Sequence, residues 1–165
     1  MQSNSKRFVA LTLGLVLSLA VSACGGTGTE LTTTMTDNES EYSFGSPAEP
    51  AEADRTVEIN ATDGLVFEPA ELTVAAGETI TFRIVNQGSL VHDFTLGDQA
   101  TQDEHEQQMA EMEGMAHDQP NAMTIPAGET MELTWTFSEA GTVLFGCHQP
   151  GHYAAGMKGQ ITVEA

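Results

Sequence analysis

From Thr56 onward, apolar and polar residues alternate in short runs broken by Gly and Pro. Thr56-Val57-Glu58-Ile59-Asn60 alternates, and Leu65-Val66-Phe67 stops short of Pro69. Leu72-Thr73-Val74 leads through Ala75-Ala76-Gly77-Glu78 into the regular run Thr79 to Asn86. Leu90 to Leu96, Met123 to Ile125, Met131 to Phe137, Thr142 to Phe145 and Lys158 to Val163 continue the series. A period of two places one side of each run on a core and the other toward water. Short strands of this kind over 56–165 predict an all-β antiparallel sandwich or barrel. The two Ala-Gly-Glu-Thr turns, at 76–79 and 127–130, read as hairpin punctuation and not as an internal repeat.

Two segments break this pattern. Asp98 to Asn121 is acidic and lacks β-branched residues after Thr101, while Gln102 to Glu113 is rich in helix formers. A short inserted helix is expected there, with His105, Met109 and Met112 at i, i+4 and i+7 on one face. The other segment is the N-terminus. Lys6 and Arg7 precede a run from Phe8 to Ala23 that is apolar or small apart from Thr12, Ser18 and Ser22. This is the pattern of an export signal over 1–23. It falls short of the ~20 apolar residues a bilayer-spanning helix needs. Val21-Ser22-Ala23-Cys24 resembles a bacterial lipobox, which implies lipidation of Cys24 and a membrane anchor on an extracytoplasmic face. Residues 24–55, rich in Gly, Thr, Ser, Glu and Pro, are expected to be a disordered acidic tether spanning roughly 30 Å.

Charge and cysteine content narrow the partners. All 24 acidic residues follow Cys24, against only Arg55, Arg83 and Lys158. So negative a surface repels nucleic acid and suits cationic partners or metal ions. With Cys24 acylated, Cys147 is a lone thiol in an oxidising compartment, a liability unless a metal occupies it.

The chemistry concentrates in Gly146-Cys147-His148-Gln149-Pro150-Gly151-His152-Tyr153-Ala154-Ala155-Gly156-Met157, a Cys-x4-His-x4-Met loop between two predicted strands. A type 1 copper site takes one thiolate, two imidazoles in a roughly trigonal plane and a weak axial thioether. The loop offers three of these, and His92, some 55 residues earlier, can offer the second imidazole. Zinc rarely takes a thioether, so copper suits the donor set better. A binuclear centre would need a second cysteine in the loop. A multicopper oxidase would need a histidine where Gly146 stands, together with His-x-His pairs that five histidines do not form.

Residues 65–164 resemble the cupredoxins. The likeness rests on Phe67-x-Pro69, Gly77-Glu78-Thr79, Phe82, Asn86 and His92-Asp93-Phe94, then on the Cys…His…Met loop and a closing Gly-x-Ile-x-Val strand, all in family order. It implies a Greek-key β-sandwich, a single type 1 copper on His92, Cys147, His152 and Met157, and outer-sphere electron transfer without catalysis. His148 is expected to point away from the metal, as an exposed or sheet-packed residue. Tyr153 is assigned to packing near the loop, Trp135 to the core, and Asn86 to tying loops together.

The insert leaves two functions open. One is a membrane-tethered electron carrier with a redox partner protein. The other is a copper-handling protein for tolerance or delivery, in which His105, Met109, Met112, Met115 and His117 collect a second copper. The insert resembles that of exported bacterial cupredoxins linked to copper tolerance. The same methionine stripe would equally serve to pack the helix onto the sandwich.

Overall fold

The computed structural model describes residues 42–112 and 118–165. Within them, ten strands form two five-stranded sheets. The strands are β1 (Gly45–Pro47), β2 (Arg55–Thr62), β3 (Val66–Glu68), β4 (Glu71–Ala75), β5 (Thr79–Asn86), β6 (His92–Gly97), β7 (Ala122–Ile125), β8 (Thr130–Phe137), β9 (Gly141–Gly146) and β10 (Lys158–Glu164). Helix α1 (Gln99–Glu111) follows β6, and the short α2 (His152–Ala155) lies between β9 and β10. One sheet runs β1-β8-β5-β2-β3 and the other β4-β10-β9-β6-β7.

The expected sandwich is present, with one refinement. β2–β5 and β4–β10 are parallel pairs, so each sheet is mixed and not purely antiparallel. The two Ala-Gly-Glu-Thr turns are also not hairpins. Each carries the chain from one sheet to the other, β4 to β5 and β7 to β8. The first corner shows how: Ala76 N–H donates to Glu164 of β10 and Gly77 N–H to Phe137 of β8, one strand from each sheet. A turn bonded to both layers cannot also close a hairpin within one.

Between the sheets the core is aromatic. Phe94, two residues after His92, meets Phe67 edge-on at 5.8 Å, Phe82 at 5.7 Å and Phe145 at 5.3 Å. Each such side chain contributes roughly 1.5–3 kcal/mol by leaving water, and together they fix the axial position of β6. All six residues of β6 are buried. A two-layer sandwich covers only one face of a strand; here α1 shields the other.

Two boundaries move. The domain begins earlier than residue 56, because Phe44 stacks on Trp135 at 5.2 Å, Tyr42 meets the same indole at 5.3 Å, and β1 pairs with β8. Residues 42–55 are therefore part of the fold and not of a tether. Helix α1 starts three residues before the expected Gln102, because Asp98 caps it by accepting from both the backbone N–H and the hydroxyl of Thr101 at 2.9 Å. The signal segment, Cys24, Met115 and His117 lie outside the described residues.

Candidate metal centre

The site forms where β6 and β9 part company. Their ladder ends at the pair Thr95–Gly146, after which β6 continues beside β7, with His92 opposite Ile125. Cys147 follows β9 and opens a closed loop. Its N–H donates to the Met157 carbonyl at 3.0 Å, and Met157 N–H donates to that of His152 at 3.0 Å. Gly151 and Gly156, both at positive φ, bracket α2. A side chain is strained in that backbone region, so the two glycines let one turn of helix fit inside the loop and aim His152 back at Cys147.

The loop preceding His92 is equally tied. Asn86 donates through Nδ2 to the carbonyls of Leu90 (2.8 Å), Ile125 (3.1 Å) and Pro126 (3.1 Å), and its Oδ1 accepts from Gly88 N–H. Its expected role as a loop tie is thus realised. Asp63, which sequence reasoning did not single out, accepts from the Ser89 and Leu90 N–H groups and the Ser89 hydroxyl. These donors hold its carboxyl below the usual range.

The three donors converge. Cys147 Sγ lies 3.3 Å from His152 Nδ1 and 3.9 Å from His92 Nδ1, and the two Nδ1 atoms are 3.3 Å apart. Among the described residues, this is the one group of three or more His, Cys, Asp or Glu side chains whose ligand atoms gather within 4.8 Å. Cys147 and His92 are fully buried and His152 only partly. Met157 is fully buried in the cluster that also contains Cys147.

Burial shapes the protonation of all three. It lowers both histidines below their ordinary range, helped at His92 by the facing His152. It raises the Cys147 thiol, and the nearby Asp93 carboxyl adds to the rise. Two imidazole Nδ1 atoms this close cannot both carry a proton, and a buried thiol becomes a thiolate only if a cation replaces its proton. The donor set therefore fits a metal ion held by two Nδ1 atoms and one sulfur.

Asp93 is the second residue whose role the sequence did not disclose. Its N–H donates to Cys147 Sγ at 3.4 Å and its Oδ1 accepts from His148 N–H at 2.6 Å. Burial pushes its carboxyl up to about 7. His148 points away from the three donors, as expected, but it is neither exposed nor merely packed against the sheet. It is 2% exposed, with Nδ1 2.6 Å from Glu106 Oε2 and Nε2 2.7 Å from Gln102 Oε1, both on α1. Tyr153 stacks on its ring at 4.5 Å, which realises the packing role expected of that tyrosine. Burial lowers the His148 pKa while the Glu106 carboxylate acts against it.

In the insert, His105 and Met109 face the sandwich and are buried, at 4% and 1% exposure, with His105 edge-on to His148 at 5.0 Å. Met112 is half-buried at the end of α1.

One thiol and two imidazoles, gathered between the ends of two strands with a buried methionine in the same loop, define a mononuclear type 1 copper centre in a β-sandwich. The chain belongs to the plastocyanin/azurin family of copper binding proteins, whose family model matches residues 53–164. It is 39% identical to a copper-resistant cuproprotein, CopI, of Pseudomonas aeruginosa over 150 residues, covering 73% of this chain and 82% of that protein. Auracyanin-A of Chloroflexus aurantiacus is 30% identical over 173 residues, covering 95% and 96%. Among solved structures, a dithionite-reduced auracyanin of Roseiflexus castenholzii superposes with a TM-score of 0.61 at 28% identity, covering 68% of this chain and 99% of that one.

Proposed function

We propose that this protein is a membrane-anchored, extracytoplasmic carrier of single electrons, with one copper held by His92, Cys147, His152 and Met157. The observation that carries this reading is the preformed triangle of Cys147 Sγ, His92 Nδ1 and His152 Nδ1. Donors already in place need little rearrangement when the metal changes charge. Copper bound there supplies a one-electron couple. The chain contributes a loop closed by backbone hydrogen bonds and a sulfur that accepts the Asp93 N–H. His152 is the least buried of the three donors, and Leu90 and Val91, just before His92, are 43% and 44% exposed. An electron would cross at that edge to a redox partner. Cys24 would carry the lipid, with residues up to 41 as the tether.

Copper loading with metal counting, visible absorption and reversible redox cycling tests the reading. One tight equivalent with an intense thiolate-to-copper band that bleaches on one-electron reduction supports it. A Cys147→Ser variant that keeps the band overturns it. Intact-mass analysis of the membrane-bound form tests the anchor, since a mature chain without acyl mass at Cys24 would exclude it.

The CopI relatives favour a second reading, copper tolerance or delivery. In that case Met112, Met115 and His117 would take up a further copper, with His105 and Met109 supporting them from the buried face. A second equivalent lost on replacing Met112, Met115 and His117 together would establish it.

A further inference from the structure

Helix α1 interrupts the sandwich between β6 and β7, yet its buried face is polar where it meets the metal loop. Gln102 is fully buried. Its Nε2 donates to the carbonyls of Thr95 (3.0 Å) and Leu144 (3.4 Å), residues of the last stretch of ladder joining β6 to β9. Both amide hydrogens are thereby engaged, so Oε1 must be the acceptor facing His148 Nε2 at 2.7 Å. Glu106, one turn further along, holds the other ring nitrogen. Tyr153 covers one face of the ring, and His105 approaches edge-on. There is no slack in this arrangement. A Cβ on Gly146 would lie 2.5 Å from the Tyr153 ring and 2.9 Å from Gln102 Oε1.

Among the described residues, no backbone ladder joins β6 to the metal loop beyond Thr95–Gly146. The link passes through side chains: His148 N–H to the Asp93 carboxyl, and Asp93 N–H to the Cys147 sulfur. Whatever holds His148 therefore bears on where Asp93 stands against the Cys147 sulfur. We propose that Gln102 and Glu106 are positioning residues for the copper centre, clamping His148 so that the Asp93 N–H stays on the Cys147 sulfur. The inserted helix is thus a working part of the site. Hydrogen bonding to the sulfur and the orientation of the ligands govern the electronic character and potential of such a centre. A clamp that acts two residues from the metal should therefore register in both. This inference rests on the copper reading above.

The test compares Gln102→Leu, Glu106→Ala and Glu106→Gln with wild type, each loaded with copper. Glu106→Ala and Glu106→Gln remove the same charge, so their difference reads the contact to the His148 ring alone. Gln102→Leu and Glu106→Ala are expected to shift the charge-transfer band, the copper hyperfine splitting and the reduction potential, with Glu106→Gln restoring most of the spectral change. In the metal-free protein, the His148 Nε2 proton should exchange with solvent about tenfold faster in Gln102→Leu, the loss of one buried hydrogen bond. If Gln102→Leu fails to fold, the two Glu106 variants decide, because that side chain is 40% exposed. Lowered denaturant midpoints with unchanged spectra and potentials would overturn the proposal and leave α1 as packing. Absence of any visible copper band in the wild type would instead overturn the copper reading on which it stands.

Discussion

His92 Nδ1 and His152 Nδ1 face each other at 3.3 Å across the metal site, although sixty residues separate them in the chain. Among the described residues, the Cys147 sulfur is the other polar atom facing both. A cation resolves this crowding of lone pairs, and only the folded state gathers the donors. Copper should therefore stabilise the protein strongly, by about 4 kcal/mol when free copper stands a thousandfold above its dissociation constant. Thermal unfolding with and without copper measures this. His92→Ala should lose both the stabilisation and the visible band.

Met157 tests the fourth ligand. It is fully buried, and leucine has nearly its volume, so Met157→Leu should change the stability of the metal-free protein by less than about 1.5 kcal/mol. Removing a thioether donor withdraws electron density that favours the more highly charged Cu(II). The potential should therefore rise, while copper stays bound to the remaining three donors. Voltammetry of wild type and variant decides it; an unchanged potential would remove Met157 from the ligand set.

Asn86 offers one amide group to three carbonyls. Asn86→Ala leaves those carbonyls short of donors at the base of the His92 loop and should cost about 2–3 kcal/mol in urea unfolding. Asn86→Asp should do no better, since a carboxylate has no hydrogen to offer and would face the same oxygens.

The Asp98 cap supplies a pH dependence whose sign follows from its bonds. The Thr101 backbone N–H, then its hydroxyl, hold the Asp98 carboxyl below its ordinary 3.8. A group with a depressed folded value stabilises above its unfolded value and loses that contribution as pH falls through the folded one. Asp98→Ala should thus cost about 1 kcal/mol at neutral pH. The gap to wild type should narrow below pH 3.8, whereas Asp98→Asn keeps a capping oxygen and should show little of either effect. Denaturant midpoints across pH 2 to 7 measure it.

Most of the sandwich was legible because period-two alternation and Gly/Pro punctuation are local properties. β5, for instance, occupies the whole of the alternating run Thr79 to Asn86. The copper donors were legible because three of them sit in one loop with fixed spacing, and only His92 had to be fetched from elsewhere. Sheet assignment was not, since a corner at Ala75–Glu78 and a hairpin use the same residues. Nor was the clamp on His148. Gln102 and Glu106 look like ordinary polar helix formers, and only tertiary contact turns them toward the ring. Asp93 shows the same limit: its place beside His92 is plain in the sequence, but its bonds to Cys147 and His148 depend on how two strands diverge.

The N-terminal boundary is the sharpest such case, because the composition of 42–55 reads as disorder while two aromatics in it do structural work. Phe44 is 8% exposed, with its ring stacked on Trp135. Gly45, Ser46 and Pro47 pair with Phe137, Thr136 and Trp135 along β8. Phe44→Ala should therefore destabilise the protein by about 3 kcal/mol. A chain beginning at residue 54 should lose more, since it forfeits Tyr42 and the β1 pairing as well. All three donors of the triangle lie in or beside strands of the other sheet, so copper-loaded Phe44→Ala should keep the wild-type spectrum in conditions where it is folded. Urea unfolding of the three proteins, followed by tryptophan fluorescence, reads both effects. Equal midpoints for the shortened and full-length chains would return residues 42–55 to the tether.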